Sequence, residues 1–178
     1  YMKISNKDKN RFIENVNWFN QYFDGVYQLF ERISQILQND YSLPEKMYYY
    51  YKANSKPSIP GIYLLGLGSE DFAIQIYAIF NLNVFSSQSY FLKEPSIIVL
   101  KHSHGKRYGW YKEYGLKIII NNGIEFENNE GDISGKIIEN QANFFAFQVP
   151  FDYFTEGEDI ENSIHEKILK KLKNAPKW

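Results

Sequence analysis

Two histidines one residue apart, His102 and His104, open the most chemically suggestive stretch of the chain, which runs from Lys101 to Lys112. If the strand that begins at Ile97 continues through them, both imidazoles face one side, because side chains repeat every two residues along a strand. A pair so placed can bind one metal ion, though the pair alone is a weak signal, and a metal-bound water is the nucleophile of many hydrolases. The remaining ligands would have to come from elsewhere, with Asp71, Glu113 and Asp152 as candidates. No carboxylate follows closely after His104, where Tyr108 and Gly109 stand, and His165 falls in a predicted helix. A metal-dependent hydrolase or phosphoesterase centred on His102 and His104 is therefore the alternative reading, with two solvated histidines before a glycine turn as the plain one.

The same stretch carries Lys106 and Arg107 interleaved with Tyr108, Trp110 and Tyr111, and no acidic residue. Cations beside aromatic rings can hold an anionic ligand, stacking a base or a sugar while neutralising a phosphate. Single-stranded nucleic acid bound through Lys106, Arg107, Trp110 and Tyr111 is a third reading. The charge balance argues against it: 20 basic and 21 acidic residues leave a net charge of -1 and no bulk attraction for a polyanion. The simpler role of those lysines is to guard a strand edge. Glu125, Glu127, Glu130 and Asp132 form an acidic counterpart, expected to lie beside the basic stretch in a sheet and partly neutralise it.

Other chemistry is excluded more firmly. With no cysteine there is no disulfide, thiolate metal ligand or cysteine nucleophile. Neither a Gly-x-Ser-x-Gly elbow nor a His-Glu-x-x-His helix occurs. Gly66, Gly68 and Ser69 follow an apolar run, but Asp71 stands where a dinucleotide fingerprint needs its third glycine, so a turn is expected there. No cofactor motif is complete.

The elements that position these residues read as α+β within a single domain over 1–178. Phe12, Val16, Phe19, Phe23, Val26, Phe30, Ile33 and Leu37 recur at spacings of four and three, a heptad-like stripe on a long N-terminal helix over 7–38. Ser5 and Asp8 resemble a capping box, and Asn39, Asp40 and Pro44 stop the helix. Such a helix would be about 48 Å long. It must bend near Gly25 to lie on a sheet, or pair with its copy in a second chain.

Strand candidates follow at 47–52, 62–67, 72–80, 90–92, 97–101, 108–112, 116–120, 124–127, 133–138 and 144–149. Segment 72–80 could instead be a helix opened by Ser69, but Phe72, Ile74, Ile76, Ala78 and Phe80 alternate with Gln75 and Tyr77, which favours a strand. The tyrosines 48–51 would place two rings on each face, one pair available as a binding platform. Asn121, Asn122 and Gly123 suit a hairpin turn, and Gly131 with Asp132 marks another. Short strands and short turns imply a mostly antiparallel meander. Thr155 with Glu158 would cap a C-terminal helix to about Asn174 that packs on the sheet through Ile160, Ile164, Ile168 and Leu172.

The aromatic content, 15 Tyr, 14 Phe and 3 Trp, fits a biased genome composition as well as a binding surface. Tyr1 to Ser5 lacks the apolar stretch of a signal peptide, and no apolar run is long enough to span a bilayer, so a cytoplasmic protein without membrane contact is expected. The leading functional reading is a non-catalytic binding or regulatory module, acting on a partner chain or small ligand and homodimeric through its N-terminal helix.

Overall fold

A computed structural model describes residues 6–39, 48–52, 62–68, 72–79, 90–91, 94–103, 118–119, 121, 123–129, 131–139, 141–154 and 159–178. Within these, the side chains of 6–23 other than Asn10 and Glu14, those of 48–52 and 62–68, and that of Asn129 lie outside the description. The architecture is α+β: helix α1 (Asn6–Asn39), then an antiparallel sheet, then a C-terminal helix. The strands are β1 (Tyr48–Lys52), β2 (Ile62–Gly68), β3 (Ala73–Ile79), β4 (Ser96–His102), β5 (Ile124–Asn129), β6 (Asp132–Ile137) and β7 (Asn143–Pro150). They lie in the order β1-β2-β3-β4-β7-β6-β5, every neighbouring pair antiparallel. Two meanders thus meet where β4 pairs with β7 rather than with the next strand in sequence, β5.

The alternation in β3 carries apolar side chains to both faces. Ile74, Ile76 and Ala78 join Ile97, Val99, Phe147 and Val149 under the helices, while Tyr77 and Ile79 join Ile98, Leu100, Phe144 and Ala146 on the reverse face. All seven residues of β3 are buried, so the polar members of the alternation, Gln75 and Tyr77, are not solvent-facing. They satisfy each other instead, the Tyr77 hydroxyl donating to Gln75 Oε1 at 2.9 Å. Ser96, also buried, donates to the Glu94 carbonyl at 2.9 Å and accepts from Gln148 Nε2 at 2.7 Å. A buried polar group costs stability unless it is so bonded, which is why these positions come in pairs.

α1 is helical without interruption through the exposed Gly25. Val26, Phe30, Ile33 and Leu37 of the predicted stripe are buried on the sheet, with Leu29 beside them. Phe12, Val16, Phe19 and Phe23 sit on the same helix, and their side chains fall outside the described residues.

The C-terminal helix, α2 (160–174), departs from its sequence pattern. Asp159 is the N-cap, its carboxylate accepting from the Asn162 amide at 3.0 Å. Thr155 and Glu158, expected as the cap, lie outside the described residues. Between Ile164 and Leu169 the helix opens into a π turn, in which the Lys170 amide reaches back to the His165 carbonyl. The extra residue in that turn brings Ile168 and Leu169 together onto the buried face, with Ile164 and Leu172. Ile160, expected in the stripe, is exposed.

Three further expectations are corrected. Tyr90 and Phe91 form a bend that packs on the reverse face rather than a strand. Ile118 and Ile119, the described part of the strand expected over 116–120, are helical, the Asn121 amide donating to the Ile118 carbonyl at 3.2 Å. The positive φ expected there does occur, at Asn121 (53°) and Gly123 (70°), in a turn that leads from helix to strand. In β1 the register with β2 slips between Tyr49 and Tyr51, and this bulge breaks the two-residue repeat assumed for the tyrosine run.

Candidate functional site

His102 is the last residue of β4, flanked in register by Ala73 of β3 and Phe144 of β7. Its side chain is fully buried on the reverse face, contrary to a solvated strand end. The strand stops there, and Ser103 bends away while its hydroxyl accepts from the Asn143 amide at 3.0 Å. The strand that carries His102 thus ends at that residue. His104 itself, and Lys106, Arg107, Tyr108, Trp110 and Tyr111, lie outside the described residues. Among the described residues no three His, Asp or Glu side chains gather in a way that could hold a metal ion.

A different surface emerges on the helix-bearing face, where β5, β6 and β7 run out from under α2. Here the cross-strand rows are Glu125–Lys136–Asn143 and Glu127–Ser134–Phe145. The row order follows from strand parity, since Glu125 and Glu127 are two residues apart and must share a face. With Pro176 and Trp178, the members of these rows other than Phe145 line an open groove of about 510 Å³. Glu125 meets Lys136 across β5 and β6; of the basic stretch expected beside these glutamates only 101–103 are described, with Lys101 and His102 on β4, and the rest lies outside the described residues.

The inner wall of the groove is held by a lysine. Lys101 of β4 is half-buried, with its ammonium 5.0 Å from the Phe72 ring centroid and 4.9 Å from that of Trp178. It also donates to the Pro176 carbonyl at 3.3 Å. Burial, and secondarily the neighbouring charge of Lys177, hold its pKa below the ordinary lysine value. The attraction of a cation for ring faces works against that cost. Further along α2, Lys171 bonds Asp132 at the start of β6 and lies over the Phe147 ring at 5.1 Å. Arg32 of α1 pairs with Glu161 of α2. The tail is thus tied to the sheet through Lys101, and α2 through Lys171 and Asp132.

Comparison with protein-family models, with curated proteins and with solved structures found no match. Function must accordingly be argued from these residues. No helix among the described residues is long and apolar enough to cross a membrane. Sequence reasoning missed the groove because its walls come from three strands and a distant tail. The local signal was present in β5, where Glu125 and Glu127 alternate with Ile124 and Phe126.

Proposed function

We propose that the chain is a non-catalytic binding module that assembles as a homodimer through the N-terminal part of α1. The observation that carries this reading is a mismatch of lengths. A continuous helix of 34 residues is about 51 Å long. Seven strands spaced about 4.8 Å apart, each of up to eight residues rising about 3.3 Å, give a sheet whose diagonal is roughly 40 Å. Even laid along that diagonal, α1 outruns the sheet by about two turns.

The pattern on the helix supports the same reading. At about 100° per residue, all eight positions from Phe12 to Leu37 fall within about 100° of arc. Val26, Phe30, Ile33 and Leu37 use that arc against the sheet, and the first four positions carry it on with three phenylalanines and Val16. A heptad stripe that continues past its own sheet suits a second helix of the same kind.

The test is light scattering after size exclusion at micromolar concentration, on the protein and on a double variant, Val16→Glu with Phe19→Glu. The expected result is a dimer that the double variant converts to a monomer with its cooperative thermal unfolding retained. A monomeric parent protein would end the proposal.

A further inference from the structure

Of the two outer strands, β5 is the one whose edge is unguarded by irregularity. β1 carries its bulge between Tyr49 and Tyr51, a device that turns an edge away from pairing. β5 pairs with β6 through six consecutive residues without a slip, and among the described residues it has no neighbour on its other side. A regular edge offers a row of backbone donors and acceptors to an added strand.

Each face of β5 then specifies what that strand must carry. On the groove face, Glu125 and Glu127 are both exposed. Among the described residues Lys136 stands across from Glu125, whereas Glu127 faces Ser134, so Glu127 is the one of the two with no cation opposite on β6. Beyond it the groove leads to Trp178, still 43% exposed and already in contact with one lysine ammonium. On the reverse face, Ile124 and Phe126 are only partly covered, Phe126 by the Tyr90 ring at 5.6 Å, and Ile138 just past β6 is exposed. A second copy of β5 is a poor fit, because antiparallel pairing would set glutamates of the two copies against each other.

We infer that the outer edge of β5, which no described residue pairs with, docks an extended segment of another protein in which lysine or arginine alternates with apolar residues. The basic side chains meet Glu125 and Glu127 and lay their stems in the groove toward Trp178. The apolar ones complete the cover of Ile124 and Phe126. This docking is independent of the dimer proposed through α1, which uses a different element.

The test is fluorescence anisotropy with a short labelled peptide alternating lysine and valine. A peptide of the same composition with its lysines and valines in separate blocks serves as the pattern control, and an alternating glutamate–valine peptide as the charge control. The alternating basic peptide is expected to bind, more weakly as salt rises, and more tightly than either control. Glu127→Lys should weaken it roughly five- to tenfold, since reversal replaces an attraction by a repulsion of similar size. Glu14→Lys, the same change of charge on α1, should leave it unaltered. Circular dichroism checks the fold of each variant, and Glu127→Gln reads the same contact should the reversal unfold the edge. No binding, equal binding of the block peptide, or equal effects of the Glu127 and Glu14 reversals would overturn the inference.

Discussion

Gly135 lies in the middle of β6, between Phe126 of β5 and Phe144 of β7. Replacing it by alanine puts a methyl group where there is no space. A Cβ at this position would lie 2.7 Å from Phe126 Cα and closer still to the Glu125 carbonyl oxygen, and both are backbone atoms that cannot swing aside. Ordinary carbon–carbon contact needs about 3.5–4.0 Å, so β5 must retreat by about 1 Å. A ladder bond near 2.9 Å stretched by that much passes the limit at which it counts as a hydrogen bond. Two or three such bonds flank the site, each contributing about 0.5–1.5 kcal/mol. Gly135→Ala should therefore cost about 2–3 kcal/mol, within the usual range for overpacking. Since β5 is an outer strand, it can detach without dissolving the sheet. Urea unfolding should report the loss, and amide exchange should show faster exchange confined to β5 and β6. A variant within about 0.5 kcal/mol of the parent, with β5 exchange unchanged, would refute the reasoning.

Two further outcomes test the core and the clamped lysine. Ile33→Ala removes a fully buried side chain from the contact between α1 and the sheet, and should cost about 2–5 kcal/mol in urea unfolding; a loss below about 1 kcal/mol would mean that α1 is not docked there. The Lys101 pKa is lowered on folding, so between that lowered value and the ordinary 10.5 the unfolded chain binds more protons and stability gains with rising pH. The cost of the buried charge is fully present below this window and gone above it. Relative to Lys101→Met, the parent protein should gain stability as pH rises through the window, and a flat or falling difference would contradict the placement of Lys101.

The parts of the fold set by local pattern were legible. The alternation of Phe72, Ile74, Ile76 and Ala78 identified β3, and Gly131, with φ of 94°, marked the β5–β6 hairpin. The stripe from Val26 to Leu37 named the side chains that α1 buries. What local pattern could not supply was the second cover on the sheet. Gln75 and Tyr77 look like solvent-facing residues until segments distant in sequence bury them. His102 was placed on the correct strand, but its burial depends on Ala73 and Phe144, which no spacing around it reveals. The apolar run at Ile118 and Ile119 is too short to separate strand from helix by periodicity. The π turn of α2 changes which residues face inward, burying Leu169 where Ile160 was expected, and nothing in the composition announces it. The groove needed β5, β6, β7 and the tail at once, and only its acidic alternation was visible beforehand.

The junction of the two meanders also bears on how the chain reaches its native state. Residues 96–102 of β4 pair with β3 on one side and find the partners of their other side only in residues 144–150, after the whole β5–β6–β7 unit has been made. During synthesis, β1 to β4 can assemble from near neighbours, which leaves the flank of β4 waiting as an apolar, hydrogen-bond-hungry rim. Closing so long a loop is the slow kind of step, and an open rim is the kind that recruits other nascent chains. The helix-side core draws on both meanders, through Ile74 and Ile76 from one and Phe147 and Val149 from the other. α1, which precedes every one of these strands in the chain, therefore has no complete surface to settle on until β7 has zipped into place.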